Sequence, residues 1–309
     1  METRRTLLVD AFTTDPLAGN AAGVVPNADG LSPDQMRAIA AEIGASETAF
    51  VRENRPSDDG DDPGLQLRYF TPDREIDLCG HATVASVAHL FDDDVLGSGT
   101  HAVATDAGTV DVEIDPDGTV RLFRPVEAVE PVEVDYGRLE EALGIPSAAF
   151  ADVGADLPAA CASIGLPFLV VPVNFLERLA EADPDLDAVE ALSESFDVAG
   201  VYAFTFDTLE ADSTVHARAW APGIGVPEDP VTGTAAGALG AHLRGSDVFD
   251  GDPPAELRLE QGHFVDRPGT VRIGIENADD RISVGGSAVT SLDGDLAIPA
   301  PETDEIIEA

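Results

Sequence analysis

The 309-residue chain reads as an α+β protein of two pseudo-symmetric lobes, each a curled, mostly antiparallel sheet wrapped round a central helix. Two observations predict this. The segments HATVASVAHL (81–90) and GTAAGALGAHL (233–243) have helical composition but almost no polar face, so each must be enclosed on all sides, as a curled sheet would enclose it. The chain also repeats itself: RYFTP (68–72) matches RAWAP (218–222), and seven residues after each Pro stands a distinctive residue, Cys79 or Asp229. Each is followed within a few residues by one of the two apolar helices. A weaker echo aligns ETAF (47–50) with VYAF (201–204), pairing Glu47 with Val201. The expected division is 1–125 plus about 288–309 for one lobe and 126–287 for the other. The active site is expected in the cleft between them, with Cys79 and Asp229 at equivalent corners.

The elements follow in order. LLVDAF opens a strand, and a turn-rich loop runs through Gly19-Asn20. LSPDQMRAIAAEIG is a helix: Ser32 fits an N-cap, Pro33 the first helical position, Gln35 the reciprocal capping partner, and Gly44 the C-terminal stop. SETAFVR and LQLRYFTP are strands separated by an acidic surface loop, RPSDDGDDPG (55–64). HAVATDAGTVDVEIDPDGTVRLFRP gives short strands with DPDG as a hairpin turn, and VEAVEPVEV (126–134) reads as a crossover between lobes. In the second half PFLVVPV, VYAFTFD and VHARAWAP are strands and LDAVEALSESF is a helix. ELRLEQG, GTVRIGIE and RISVGGSAVTSL are closing strands. ETDEIIEA is an acidic tail.

Composition limits function. Asp and Glu number 59 against 17 basic residues, all Arg, for a formal charge of −42. Hydrophobic residues make up 44% of the chain, enough for real cores, so the acidity does not signal disorder. A Lys-free acidic surface fits the high-salt cytoplasm of a halophile, where the Debye length shrinks to about 3 Å in molar salt. Self-repulsion on desalting should then unfold the protein, measurable by circular dichroism across a salt series. Without Lys there is no phosphate-loop Lys and no Schiff-base anchor. No basic patch suits nucleic acid or an anionic membrane, and no apolar run approaches transmembrane length. Two cysteines, Cys79 and Cys161, make no disulfide framework.

The chemistry concentrates at the two corners. PEDPVTGTAAG (227–237) sets Glu228 and Asp229 against a helix start whose bare amides and positive dipole end suit an anion, and the start at Gly80 does the same. A carboxylate fits better than a phosphate, which would recruit basic residues. The small residues equally allow close helix–sheet packing. Asp229 before Pro230 also has the form of an N-cap, and Glu228 reads as solvent-facing. Cys79 is either a nucleophile or a small buried residue. His81, at a helix start, is placed to exchange protons with a substrate. Glu47, between Ser46 and Thr48 and followed by Ala49-Phe50, sits half in a core, the setting of a general acid/base; an edge Glu facing solvent would have the same surroundings in sequence. The other histidines (89, 101, 216, 242, 263) are scattered and read as structural or exposed. No second Cys or His pair has ligand spacing, so no metal set is expected.

These same stretches resemble a known family. DAFTTDPLAGNAAGVV, ASETAFV, RYFTPDREIDLCGHAT, GVYAFTFD, GVPEDPVTGTAAGAL and EQGHFVDRPG are similar to the PhzF family, phenazine-biosynthesis isomerase-like proteins, in family order and over nearly the whole chain. The resemblance implies a diaminopimelate-epimerase-like fold, a homodimer and no cofactor. The implied catalytic residues are Glu47 as acid/base, with His81 and Asp229. Asn20, Ser46, Cys79, Gly80, Gly233 and Thr234 are the implied substrate-binding set, Thr234 keeping the hydroxyl of the family's Ser. Diaminopimelate epimerases use two opposed cysteines; here the corners carry Cys79 and Asp229. The expected activity is proton movement within a small unsaturated carboxylic acid. An epimerase or racemase of amino or hydroxy acids and a non-catalytic binding protein are the alternatives.

Overall fold

The computed structural model describes residues 2–53, 64–151, 153, 157–246, 248–249, 254–275 and 280–298. Apart from Gly64, the acidic loop 55–64 lies outside the described residues, as does the tail 302–309. Two compact units emerge. Unit 1 comprises Met1–Ala11, Ala21–Gly118 and Ala288–Ala309, and unit 2 comprises Phe12–Asn20 and Thr119–Ser287. The boundary expected at 125 therefore moves, with 12–20 and 119–125 grouping with unit 2.

In unit 1, β1 (Thr3–Ala11) runs antiparallel to β18 (Ala288–Ala297). β2 (Asn20–Val25) leads through α1 (Pro33–Ile43) to its parallel neighbour β3 (Thr48–Glu53). β3 pairs antiparallel with β4 (Leu65–Phe70), which carries the short β5 (Glu75–Ile76) on its side. α2 (Gly80–Asp92) then crosses to β6 (Gly99–Thr105), parallel to β4, and β7 (Gly108–Ile114) returns as a hairpin. The capping box at Ser32 and Gln35 forms as expected, and Gly44 ends α1 in the left-handed conformation. Met36 and Ile39 of α1 pack on Phe50 and Phe70. α2 packs against β1, β3 and β18, and every residue from Ala82 to Leu90 is buried. Burying Val84, Val87 and Leu90 contributes about 1.5–3 kcal/mol each. A helix without a polar face is stable only in such an enclosure.

Unit 2 repeats the scheme with more strands. Its elements are β8 (Val120–Pro125), β9 (Ala128–Pro131), α3 (Tyr136–Leu143), α4 (Ala148–Ala151), β10 (Ala160–Ser163), β11 (Phe168–Pro172), α5 (Leu176–Ala180) and α6 (Leu186–Ser195). They continue with β12 (Gly200–Thr205), β13 (Val215–Ala221), β14 (Val226–Asp229), α7 (Gly233–Arg244), β15 (Glu256–Gln261), β16 (Gly269–Gly274) and β17 (Arg281–Gly286). Pairing runs β9-β10-β11-β12-β13-β15-β16-β17-β8, parallel only at β11–β12 and β13–β15. Two residues, Val126 and Glu127, join β8 to β9, and their N–H groups bond Asp280 O and Ser163 O. The sheet so closes on itself around α7, which touches β9, β10, β11, β16 and β17. A Cβ on Gly237 would run into Ile164 and Val284, so that glycine lets α7 lie close to its strands. On the outer face, Leu139 and Leu143 of α3 and Val189 and Leu192 of α6 cover Val171, Val201 and Trp220.

Two sequence expectations change. Residues 128–131 form β9, paired inside unit 2, where a crossover was expected. The DPDG stretch does turn, with Gly118 N bonding Asp115 O, but β8 pairs with β17, so the turn hands the chain from one unit to the next and closes no hairpin. Both errors have one cause: β8 and β9 are claimed by partners about 160 and 30 residues away. Among the described residues no helix is long and apolar enough to cross a membrane.

Candidate functional site

The sheet register explains the repeat and corrects it. Tyr69 pairs with Ile76, and its match Ala219 pairs with Asp229. Asp229 therefore corresponds to Ile76. Cys79 is the N-cap of α2 and Thr232 the N-cap of α7, so those two correspond. The repeated Arg and aromatic also acquire a reason. Arg68 grips Glu75 through two bonds of 2.6 and 2.7 Å and lies over Phe70; Arg218 grips Glu228 through two of 2.8 Å and lies over Trp220. Trp220 Nε1 donates to Glu228 as well. Glu228 is thus a half-buried structural partner, where a solvent-facing acid was expected, because Arg218 and Trp220 sit next to it across the β13–β14 ladder.

In unit 1 the loop before β3 and the start of α2 bring three predicted residues together. Glu47 Oε2 lies 3.4 Å from His81 Nε2, and His81 Nδ1 lies 3.4 Å from Cys79 Sγ. The Glu47 and His81 side chains are 21% and 12% exposed, partly sheltered yet open to a small molecule. Glu47 is held from behind, its carbonyl accepting from Gly23 N. Cys79 is anchored through its carbonyl, which accepts from Thr83 N and Thr83 Oγ1, and Tyr69 bonds the same hydroxyl. Burial drives the Tyr69 phenol well above its ordinary range, so it stays a neutral strut. The Cys79 side chain makes no cap bond to α2. A Cβ on Gly80 would meet nothing within 4 Å, so close packing does not explain that glycine. Ser46 lies exposed in the bend before Glu47.

In unit 2 Asp229 ends β14, and its carboxylate is fixed from two sides. Asn20 Nδ2 donates to Oδ1 at 2.9 Å and Thr232 Oγ1 to Oδ2 at 2.7 Å. Asp229 is not an N-cap, since α7 begins three residues later than a cap at Asp229 would require. Asn20 also donates to Val231 O. Gln261 completes the frame: its amide donates to Asp229 O and Thr232 Oγ1 and accepts from Thr232 N. Thr234 is half-buried in the first turn of α7, and a Cβ added to Gly233 would come within 3.0 Å of the Phe12 ring. Sequence reasoning missed Thr232 and Gln261. The only signal was EQG, quoted as part of a motif, because Gln261 reaches the corner through β15, 29 residues further on.

The echo between β3 and β12 shifts by one residue. Thr48 pairs with Phe70 and Val201 with Trp220, so the position before Thr48, Glu47, corresponds to Gly200 and not to Val201. A Cβ on Gly200 would overlap the Trp220 carbonyl oxygen and crowd Ala221. Unit 2 cannot carry an acid there.

Among the described residues, two groups of side chains have the donor types a metal needs: Glu47, Cys79 and His81 in unit 1, and His216, Glu260 and His263 in unit 2. Neither was expected from spacing, since both are assembled from separate strands or loops. Unit 1 also contains an open cavity of about 980 Å³ lined by Arg4, Arg52 and His101 among others; none of Glu47, Cys79 and His81 lines it.

Comparison with known proteins gives the family and the fold. The family model described as "Phenazine biosynthesis-like protein" (PhzC-PhzF) matches residues 9–294. The chain is 36% identical over 298 residues to the "Uncharacterized isomerase YfhB" of Bacillus subtilis (strain 168), covering 94% of this chain and 98% of that protein. It is 33% identical over 306 residues to the "Uncharacterized isomerase YddE" of Escherichia coli (strain K12), covering 94% and 97%. Among solved structures, a PhzF family phenazine biosynthesis protein of Bacillus anthracis superposes with a TM-score of 0.84 at 27% identity, over 96% of this chain and all of that one. A hydroxyproline epimerase from Agrobacterium vitis shares the fold alone, with a TM-score of 0.57 at 15% identity over 96% and 91% of the two chains.

Proposed function

This chain belongs to the phenazine biosynthesis-like (PhzC-PhzF) family and is an isomerase of that type; we propose that it moves a proton within a small unsaturated carboxylic acid by general acid/base catalysis without a cofactor. The observation that carries the proposal is the Glu47–His81–Cys79 array. A half-buried carboxylate whose neighbour is an imidazole can take a proton from carbon and return it to another carbon of the same conjugated system. The electron pair released shifts along the double bonds onto the substrate carboxylate, and the proton's return restores a neutral mass balance. The first amides of α2 and the His81 imidazole suit the oxygen on which that charge develops. Asp229, with Asn20, Gly233 and Thr234, we assign to substrate contact by family correspondence.

The test is a screen of small unsaturated acids in high salt, scored by mass-neutral conversion or deuterium uptake from D₂O, with Glu47→Gln as the control. Wild-type conversion lost in the variant supports the reading. Conversion unchanged in Glu47→Gln removes Glu47 as the base, and binding without conversion of any acid by the wild type favours a binding protein.

The proximity of Cys79 Sγ to His81 Nδ1 supports a second reading, an epimerase in which the thiolate is one of two bases. Two-base inversion labels the product's stereocentre with solvent deuterium, whereas return of the proton by Glu47 retains part of the substrate's hydrogen. Cys79→Ser should stop the first reaction and spare the second.

A further inference from the structure

We propose that unit 2 contains a divalent transition-metal site, best suited to Zn²⁺, in which the imidazoles of His216 and His263 hold the ion and the carboxylate of Glu260 lowers its charge. β13 and β15 are parallel neighbours, and their register sets His216 opposite Glu260. The chain then turns sharply at Gly262, with φ 87°, where any Cβ would collide with the carbonyls of Arg267 and Pro230. That turn swings His263 back, so its ring centre lies 5.0 Å from that of His216. One ligand-type atom from each of the three residues lies within 4.8 Å of the other two.

Burial makes the arrangement informative. His216 is 0% and Glu260 1% exposed. His216 Nδ1 bonds Glu260 Oε2 at 2.8 Å, but His216 Nε2 and His263 Nδ1 are both buried with no hydrogen-bond partner among the described residues. Leaving a buried nitrogen unmatched is costly, and an ion bound by both would satisfy them. The His216–Glu260 bond has the form that orients metal-binding imidazoles elsewhere. The Glu260 carboxylate is held in place by Leu209 N and Glu210 N, which donate to its two oxygens. Half-buried His263 leaves a route in from solvent. Two imidazoles and a carboxylate favour Zn²⁺ over Ca²⁺ or Mg²⁺, which take oxygen ligands, and over Cu(I), which takes sulfur.

The experiment uses the full chain in molar salt, stripped with a chelator, loaded with Zn²⁺ and desalted at constant ionic strength, with bound metal counted by mass spectrometry. One Zn²⁺ per chain is expected, with affinity reduced at least tenfold in His263→Gln and unchanged in Cys79→Ser. Co²⁺ loaded into the wild type should show ligand-field absorption without a thiolate charge-transfer band, a readout that does not depend on any variant folding. No stoichiometric metal, affinity unchanged in His263→Gln, or loss of metal in Cys79→Ser with a thiolate band would each overturn the proposal.

Discussion

At the N-terminal corner the acid, Glu47, lies beside an imidazole and is partly open, and at the C-terminal corner the acid, Asp229, is held by two hydrogen bonds. Both units arrive through the same steps: a strand with an Arg–aromatic pair, an Arg–Glu grip, a short side strand, a small-residue start and an enclosed helix. Unit 1 then leaves Glu47 beside an imidazole at 3.4 Å, with both side chains partly open. Unit 2 places Asp229 where unit 1 has Ile76 and saturates its carboxylate with Asn20 and Thr232. At the position matching Glu47 it has Gly200, which has no room for a side chain. The duplicated scaffold differs by sterics at this position: one half has room for an acid there, while the other has none. Such asymmetry suits one principal base better than two opposed ones.

The largest expected effect is at Glu47. Glu47→Gln should lower kcat/KM by about 10²–10⁴-fold with an unchanged melting temperature; steady-state kinetics beside thermal unfolding checks it, and a loss matched by Asp229→Asn would break the comparison. Gly200→Ala should next destabilise unit 2 by about 3 kcal/mol, because the added methyl meets fixed backbone. Gly80→Ala, with open space around it, should stay within about 0.5 kcal/mol. Denaturant titration of both variants reads the difference.

Acid provides a third handle. Glu260 has a folded-state pKa of about 2 against an ordinary 4.5. The stability it contributes, on the order of 3 kcal/mol, is fully present above about pH 4.5 and lost as pH falls toward 2. Urea midpoints across that window should slope less steeply for Glu260→Gln than for wild type. The smallest effect is expected at Asp229. Asp229→Asn keeps one oxygen acceptor in the Asn20–Thr232 frame, so kcat/KM should fall only about tenfold, with most of the change in KM.

Much of this was legible in the residues. The Ser32–Gln35 capping box and the Gly44 stop formed where they were expected, because a cap is settled within a few residues of chain. HATVASVAHL and GTAAGALGAHL announced enclosed helices, since a helix with no polar face has no stable alternative. RYFTP and RAWAP revealed the duplication, and the resemblance led to Glu47, Cys79 and His81, which lie together.

Long-range pairing decided the rest. Whether Glu47 answers to Val201 or Gly200, and Cys79 to Asp229 or Thr232, depends on ladder register, which a one-residue slip reverses and which no local pattern encodes. Glu228 became a structural partner only when Arg218 and Trp220 met it across a ladder. Gln261 and the His216–Glu260–His263 cluster exist only because β15 lies beside β13. Sequence by itself determined where α1, α2, α6 and α7 begin, which faces are apolar and which residue types are available. The tertiary structure alone decided which side chains meet, because only a formed sheet brings residues tens of positions apart within hydrogen-bonding distance.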